Sequence, residues 1–324
     1  MRWMARRTGT GMVGFLLQRI AYGLAVLFAV TSLVFGLLHL SGDPLAALVP
    51  PGSSPEQAER LRAHFGLDRP LPVQYATFVR NAVRGDFGES WRARRSAMAT
   101  VLDRLPATLA LTGAAVALAL AVGVSLGIAA GSRPGGVVDL AATALALGGQ
   151  AVPGFWLGTI LILFFAVRLQ WLPSSGGEGA RAIVLPAVTL AAYPAATIAR
   201  LLRSSLIETL SGDYIRTARG KGLSTWAVVR GHALRNAALP TLAFVGLQVG
   251  FLLGGAVVVE GVFAYPGVGQ LALQAVANRD LPVVQAFVVV VATLIVVVGF
   301  AVDVLARWID PRLRSADAAS GGSW

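Results

Sequence analysis

Leu281-Pro-Val-Val-Gln-Ala-Phe-Val-Val-Val-Val-Ala-Thr-Leu-Ile-Val-Val-Val-Gly-Phe-Ala-Val302 runs for 22 residues without one Asp, Glu, Lys or Arg. A hydrocarbon core about 30 Å thick is crossed by roughly 20 residues of helix, so this run is long enough to span a bilayer. Five further runs share both properties, at 20–42, 105–132, 140–167, 182–199 and 236–259. A seventh uncharged run, 261–278, contains Tyr265-Pro266-Gly267, Gly269 and Gln270 and reads as a turn and a loop. Pro186 and Pro194 lie in the fourth run, where neighbouring helices re-satisfy the carbonyls that proline frees. The reading is an all-α integral membrane protein with six transmembrane helices.

Composition points the same way. Hydrophobic residues make up 56% of the 324 and charged residues 13%, with a mean hydropathy of +0.69. Soluble domains carry about 25% charged residues, so an ordinary cytosolic enzyme, a disordered chain and a nucleic-acid-binding domain are all excluded. The net charge of +11 then reports topology rather than a phosphate partner. With the N-terminus inside, segments 1–19, 131–139, 200–235 and 303–324 hold 15 of the 27 basic residues. The short outside loops hold only Arg168, Arg181 and Arg279. Both termini are assigned to the cytoplasm, and the first apolar run is too long for a cleaved signal peptide. With no cysteine there is no disulfide and no thiolate chemistry.

Four regions follow: 1–42, a cytoplasmic N-terminus and first span; 43–104, an extracytoplasmic segment; 105–310, a five-helix core with a cytoplasmic loop at 211–240; and 311–324, a flexible cytoplasmic tail. Segment 43–104 differs from the rest, with prolines at 44, 50, 51, 55, 70 and 72. Ser54-Pro55-Glu56 predicts a capped short helix with Pro at its first position. Asp68-Arg69-Pro70-Leu71-Pro72 reads as an extended break, and Gln74 to Val83 as a second helix.

The chain lacks the parts of an enzyme. Its one lysine, Lys221, lies in Arg219-Gly-Lys-Gly-Leu223, so the Gly-Lys-Ser/Thr phosphate cradle is absent. His39, His64 and His232 fall at the outer end of the first span, in the outside segment and in the inside loop, too scattered for a metal site. An ion-coupled carrier places ionisable residues deep in its spans, and here the deep spans are bare. Glu260, Asp303 and His39 sit near span ends and read as interfacial groups touching water. Glu260 has a second reading, as a cavity-facing group in gating or solute passage.

The longest inside connection is also rich in arginine. It reads Arg200-Leu-Leu-Arg203, continues the fourth span as an amphipathic helix, and ends at Gly212. Asp213 is placed to cap a short helix that Gly220 and Gly222 interrupt, and a further helix starts at Ser224 and stops before Leu239-Pro240. Two short helices about a glycine break form either a rigid knob for a partner's groove or an ordinary solvated loop.

Asp213-Tyr-Ile-Arg-Thr-Ala-Arg-Gly-Lys-Gly-Leu-Ser224, followed by His232-Ala-Leu-Arg-Asn-Ala-Ala-Leu-Pro240, resembles the coupling loop of ABC-transporter permeases. The resemblance is to the dipeptide/oligopeptide/nickel permease family, nearest to its dipeptide B-type subunit. Arg216, Thr217 and Ala218 fall where the general loop motif has Glu-Ala-Ala, and Gly222 matches its glycine. The likeness extends to Leu37-Leu-His-Leu-Ser-Gly-Asp-Pro44, Phe65-Gly-Leu-Asp-Arg-Pro-Leu-Pro-Val-Gln-Tyr75, Gly85-Asp-Phe-Gly-Glu-Ser90 and Arg104-Leu-Pro-Ala-Thr-Leu109. It continues through Val152-Pro-Gly-Phe-Trp-Leu-Gly158, Trp171-Leu-Pro-Ser-Ser-Gly176, Val258-Val-Glu-Gly-Val-Phe-Ala-Tyr-Pro-Gly-Val-Gly269 and Trp308-Ile-Asp-Pro-Arg312.

That resemblance implies a type I ABC importer permease fold in a bacterial cell membrane. It implies a second homologous permease subunit, two ABC ATPase subunits and an extracytoplasmic peptide-binding protein as partners. ATP and Mg would be bound by the ATPases, with no cofactor on this chain and no nucleic acid. The ATPase dock would be Asp213, Tyr214, Arg216, Thr217, Ala218, Arg219, Lys221, Gly222 and Leu223. Pro153 and Gly154 are either a hinge in the third span or a static kink. Arg92, Arg94 and Arg95 either face the binding protein or are simply solvated. Peptides fit the family best as solutes, with nickel, glutathione and other small solutes as alternatives.

Overall fold

The computed structural model describes residues 12–40, 54–64, 68–176 and 179–309. The expected outer end of the first span, the first part of the extracytoplasmic segment and the tail at 311–324 lie outside the described residues, as do the side chains of His39 and His64. Within them the chain is all-α. The helices are α1 (Met12–Leu40), α2 (Pro55–His64), α3 (Leu71–Val83), α4 (Ala97–Ser132), α5 (Val137–Ala151) and α6 (Gly154–Leu161), which widens into a π-helical turn over Ile162–Arg168. Then come α7 (Val184–Leu210), α8 (Asp213–Gly220), α9 (Thr225–Val228) with a π turn at Val229–Ala233, α10 (Leu234–Val262), α11 (Val268–Ala277) and α12 (Leu281–Ile309).

Among the described residues, four helices are long and apolar enough to cross a membrane: α4, α7, and the stretches Gly14–Leu37 of α1 and Leu281–Val304 of α12. Two bent pairs raise the number to six if each is one crossing. They are α5 with α6 and its π turn, broken by 106°, and the two parts of α10, bent by 44° between Pro240–Gly246 and Gln248–Val262.

Local chemistry explains where elements differ from the sequence expectations. The expected third span is two helices: Val152, preceding proline, takes extended backbone (φ −87°, ψ 123°), and Pro153 starts α6 as its N-cap. The expected loop at 261–278 contains α11. Once the turn ends at Gly267, Val268, Ala272 and Ala275 recur at helical spacing and all three are buried. The expected stop before Pro240 does not occur, and α10 runs through it. Helix α3 starts at Leu71, with Pro70 as N-cap and Pro72 in the first turn, where a missing N–H costs nothing. At α2 the expected cap is present, as Ser54 Oγ accepts from the Gln57 amide at 3.3 Å and Gln57 Oε1 accepts from the Ser54 amide at 3.2 Å.

The chain divides into two compact units, one of residues up to Asp103 together with Gln274 onward, the other Arg104–Leu273. In the first, α1 packs along α12, close enough at Gly23 that a β-carbon there would lie 2.7 Å from Val296. Arg19 pairs with Asp303 between the same helices. Tyr75 of α3 shares a 2.5 Å hydrogen bond with Ser32 of α1 and meets the Phe35 ring edge-on at 5.3 Å. The segment before α4 is strapped to the α11–α12 turn. Asp280, 4% exposed, accepts from Ser90 Oγ at 2.5 Å and from the Trp91 amide at 3.2 Å.

The second unit is organised on α7. Its first half joins α4 and α10 in a core that includes Leu111, Ala115, Leu190, Ile198, Leu252 and Ala256. Its second half, through Leu202 and Leu206, joins a separate core with Ile215, Ala218, Val228, Val229, Ala233 and Ala237. Helix α4 reaches α7 through glycines one turn apart. A β-carbon on Gly123 would lie 2.7 Å from the Ala195 carbonyl oxygen, and one on Gly127 would lie 2.9 Å from Leu202. On its other flank α7 holds α5. Asp139 pairs with both Arg203 Nε and Arg203 Nη2, the second at 2.8 Å, and accepts from the Gly135 amide at 2.9 Å. One end further along, Gln150 Nε2 donates to Thr197 Oγ1 at 2.9 Å.

Backbone-to-backbone approach of this kind cannot be relieved by a rotamer change. Gly123→Val should therefore destabilise the protein by about 1–3 kcal/mol, read as a lower midpoint of thermal unfolding in detergent. Gly113→Ala, at an α4 position with nothing within 4 Å of its β-carbon, should leave the midpoint unchanged or raise it.

Candidate functional site: the loop between α7 and α10

Helix α7 stops at Leu210 and α8 starts at Asp213, with Gly212 as its N-cap. The expected capping role of Asp213 is not what forms. Asp213 is the first helical residue, its carboxylate 3.3 Å from Arg216 Nη1, a placement that suits the positive end of the helix dipole. The glycine break is a defined turn. The Gly222 amide donates to the Arg219 carbonyl at 2.9 Å and the Leu223 amide to the Ala218 carbonyl at 3.4 Å. This pair of bonds is the Schellman closure, which needs a left-handed residue at its apex, and Gly222 supplies it with φ +83°. Ser224 then caps α9 by accepting from the Ala227 amide at 3.3 Å.

The result is a two-helix knob with an inner and an outer face. Ile215 and Ala218 point inward and are buried in the core shared with Leu202 and Leu206. Asn236 Nδ2 of α10 donates to the Tyr214 hydroxyl at 3.3 Å. Arg216, Thr217, Arg219, Lys221 and Leu223 face out. Of the nine residues expected at a dock, Ala218 alone is buried. Sequence reading passed over Trp226, which is 59% exposed on α9. The signal was present, an indole two residues after the capping serine, between Thr225 and Ala227.

The other expected residues separate into different settings. Pro153 and Gly154 line a cavity of about 380 Å³ with Tyr193, and Gly154 also lines one of about 650 Å³ with Phe155, Tyr193, Gln248 and Phe251. Glu260 lines neither. It has no exposed surface, so the water-touching reading does not describe its position. Its Oε1 accepts from Thr108 Oγ1 at 2.6 Å, and its Oε2 accepts from the amides of Gly269 at 2.7 Å and Gln270 at 3.1 Å. Thr108 Oγ1 in turn accepts from the Val268 amide at 2.9 Å. The carboxylate thus satisfies the first turn of α11. A β-carbon on Gly267 would come within 2.3 Å of it, which fixes glycine there. Burial, then the nearby Glu260 charge, push the Tyr265 phenol above its ordinary range. Arg92 donates to Asn278 Oδ1 at 3.2 Å and Arg95 pairs with Asp103 at 2.7 Å. Arg94, at φ +54°, is exposed.

The described residues thus form a multi-span helical protein with a two-helix knob between two candidate crossing helices. Comparison with known proteins agrees. Residues 123–315 match the family described as binding-protein-dependent transport system inner membrane component, and residues 12–112 match the N-terminal region of such membrane components. The chain belongs to this family, the permeases of binding-protein-dependent ABC transporters, and is a multi-pass protein of the bacterial inner membrane. It is 39% identical to a di/tripeptide transport system permease protein of Pseudomonas aeruginosa and 40% identical to a glutathione transport system permease protein of Escherichia coli. Each alignment covers 94% of this chain and 99% of the relative. Its fold is similar to that of the MetNI methionine ABC transporter in an inward-facing crystal form, with a TM-score of 0.56 at 22% identity, over 65% of this chain and 96% of that one.

Removing the Glu260 carboxylate leaves the Gly269 and Gln270 amides without acceptors in a buried place. Glu260→Ala should cost about 2–4 kcal/mol. Amide hydrogen exchange should accelerate at Gly269 and Gln270, while the amides of α8 keep their protection.

Proposed function

We propose that this chain is one of two permease subunits in an ATP-driven importer of short peptide-like solutes. The observation that carries the reading is the knob of α8 and α9. It is closed by a Schellman turn, seated on its own core, and presents arginine, lysine and aromatic side chains outward. A loop built this way moves as a body when pushed, which is what an external ATPase requires of its dock. Arg216, Arg219, Lys221, Leu223 and Trp226 are the outward set, rich in the residue types that anchor interfaces, with Asp213, Tyr214, Thr217 and Gly222 shaping it.

In this reading the chain crosses the membrane six times, α5 with α6 forming one crossing and α10 another, and both termini are cytoplasmic. The 43–104 segment faces an extracytoplasmic binding protein, with Arg94 exposed and Arg92 and Arg95 held by neighbours. ATP and Mg are bound by the ATPase subunits. The solute class is supported by the relatives: one serves di- and tripeptides and another glutathione, itself a tripeptide, so the shared chemistry is a short chain of amides with charged ends. The cavities beside Pro153 and Gly154 lie among aromatic and amide side chains suited to such a solute.

Purification from native membranes in mild detergent should recover ATPases and a second permease with this chain, and the complex should hydrolyse ATP. Recovery of the chain alone overturns the reading. Arg219→Glu combined with Trp226→Ala should weaken ATPase retention by about tenfold or more while membrane insertion is unchanged. Gly222→Val should lower uptake by straining the left-handed turn at φ +83° and not through a clash, since a side chain there meets nothing within 4 Å in this chain.

A further inference from the structure

Helix α7 carries the knob, and α5 ends at the 106° break whose far side, Gly154 and Phe155, forms one wall of the larger cavity. A push on the knob therefore reaches that wall only if α5 follows α7. Two polar contacts and one close approach bind them. Asp139 is 4% exposed and takes four donors: Arg203 Nε, Arg203 Nη2, the Gly135 amide and, at 3.4 Å, Thr143 Oγ1. Near the break, Gln150 bonds Thr197, and a β-carbon on Gly149 would lie 3.2 Å from the Ala192 carbonyl oxygen. Between these contacts the buried Ala142, Ala146 and Ala199 line, with Leu147, a cavity of about 230 Å³. Small apolar contacts beside a void resist sliding weakly. A two-pronged guanidinium–carboxylate pair resists it strongly, because both bonds are lost together. Arg203 also sits one turn before Leu206, which packs under the knob.

We infer that the Asp139–Arg203 pair is a positioning contact that transmits displacement of the knob from α7 to α5, and through the Val152–Pro153 break to the cavity wall. The inference rests on the importer reading above. Asp139 and Arg203 touch no solute and no nucleotide in this scheme. They decide how much of the work of ATP binding arrives where the solute passes.

The test uses the intact transporter in proteoliposomes, with labelled dialanine and labelled glutathione as probe solutes. Asp139→Asn keeps an acceptor for Gly135 but loses the charge that grips Arg203. ATP hydrolysis should stay within about twofold of the parent, while solute accumulated per ATP falls by about fivefold or more. A merely structural defect would lower both together. Arg203→Lys, which keeps the charge with a single prong, should lie between the two. If Asp139→Asn does not assemble, the double variant Asp139→Ala, Arg203→Ala leaves no orphaned charge and should show the same loss of coupling. The chain has no cysteine, so spin labels at Leu145→Cys and Ser211→Cys give a readout independent of solute. Their separation should be the same with and without bound nucleotide in the parent and should change on nucleotide binding in Asp139→Asn. An unchanged transport ratio and an unchanged label distance in the variant overturn the inference while leaving the importer reading standing. A parent chain that retains no ATPase overturns both.

Discussion

Everything in the larger unit depends on α7 being gripped from two sides by different means. On one flank the glycines of α4 let its backbone approach to the point where a methyl group would strike a carbonyl oxygen. On the other, α5 is held by charge and amide contacts. Inside a bilayer the hydrophobic effect gives helices no reason to associate, because lipid tails are as apolar as leucine. Close packing and polar contacts must supply what burial supplies in water. Helix α7 is about 40 Å long at 1.5 Å per residue, and it runs from one hydrophobic core into another. A displacement applied at one end has few ways to dissipate before the other.

The same scarcity of water explains how the carboxylates are used. Glu260, Asp139 and Asp280 are each nearly or fully buried, and each is surrounded by donors, several of them backbone amides. A buried charge without partners is expensive, so these groups sit where the chain has amides that no helix satisfies: the first turn of α11, the turn before α5, and the strap before α4. They organise turns. None of the three lines the cavity beside Phe155 and Phe251.

Much of this was legible in the sequence because one-dimensional signals carry it. Length and absence of charge marked the long spans, Ser54 and Ser224 marked helix starts that formed, and the Gly222 break closed as a knob. What was not legible depends on partners distant in the chain. Glu260 looked like an interfacial acid because nothing near it in sequence announces that Thr108 and the amides of Gly269 and Gln270 will converge on it. Asp139 and Arg203 stand at the edges of apolar runs 64 residues apart, and nothing in the sequence pairs them before the fold sets them together. The third span looked continuous because proline and glycine within an apolar run announce a bend without its size. The α11 helix was hidden by the turn residues that precede it, although its own apolar spacing was regular.

The strap at Asp280 also orders events in time. Its partners are 190 residues apart in the chain, and α1 likewise packs along α12, the last described helix. The unit from Arg104 to Leu273 is contiguous and can pack as soon as it is made. At about 5–20 residues per second of synthesis, α1 waits on the order of tens of seconds in the membrane before its packing partner exists. Its exposed leucines suit that interval: Leu17, Leu24 and Leu33 remain more than 60% exposed even in the folded chain. Helix α1 is therefore a segment that must be content alone in lipid first and a packing partner only afterwards, once α12 has been made.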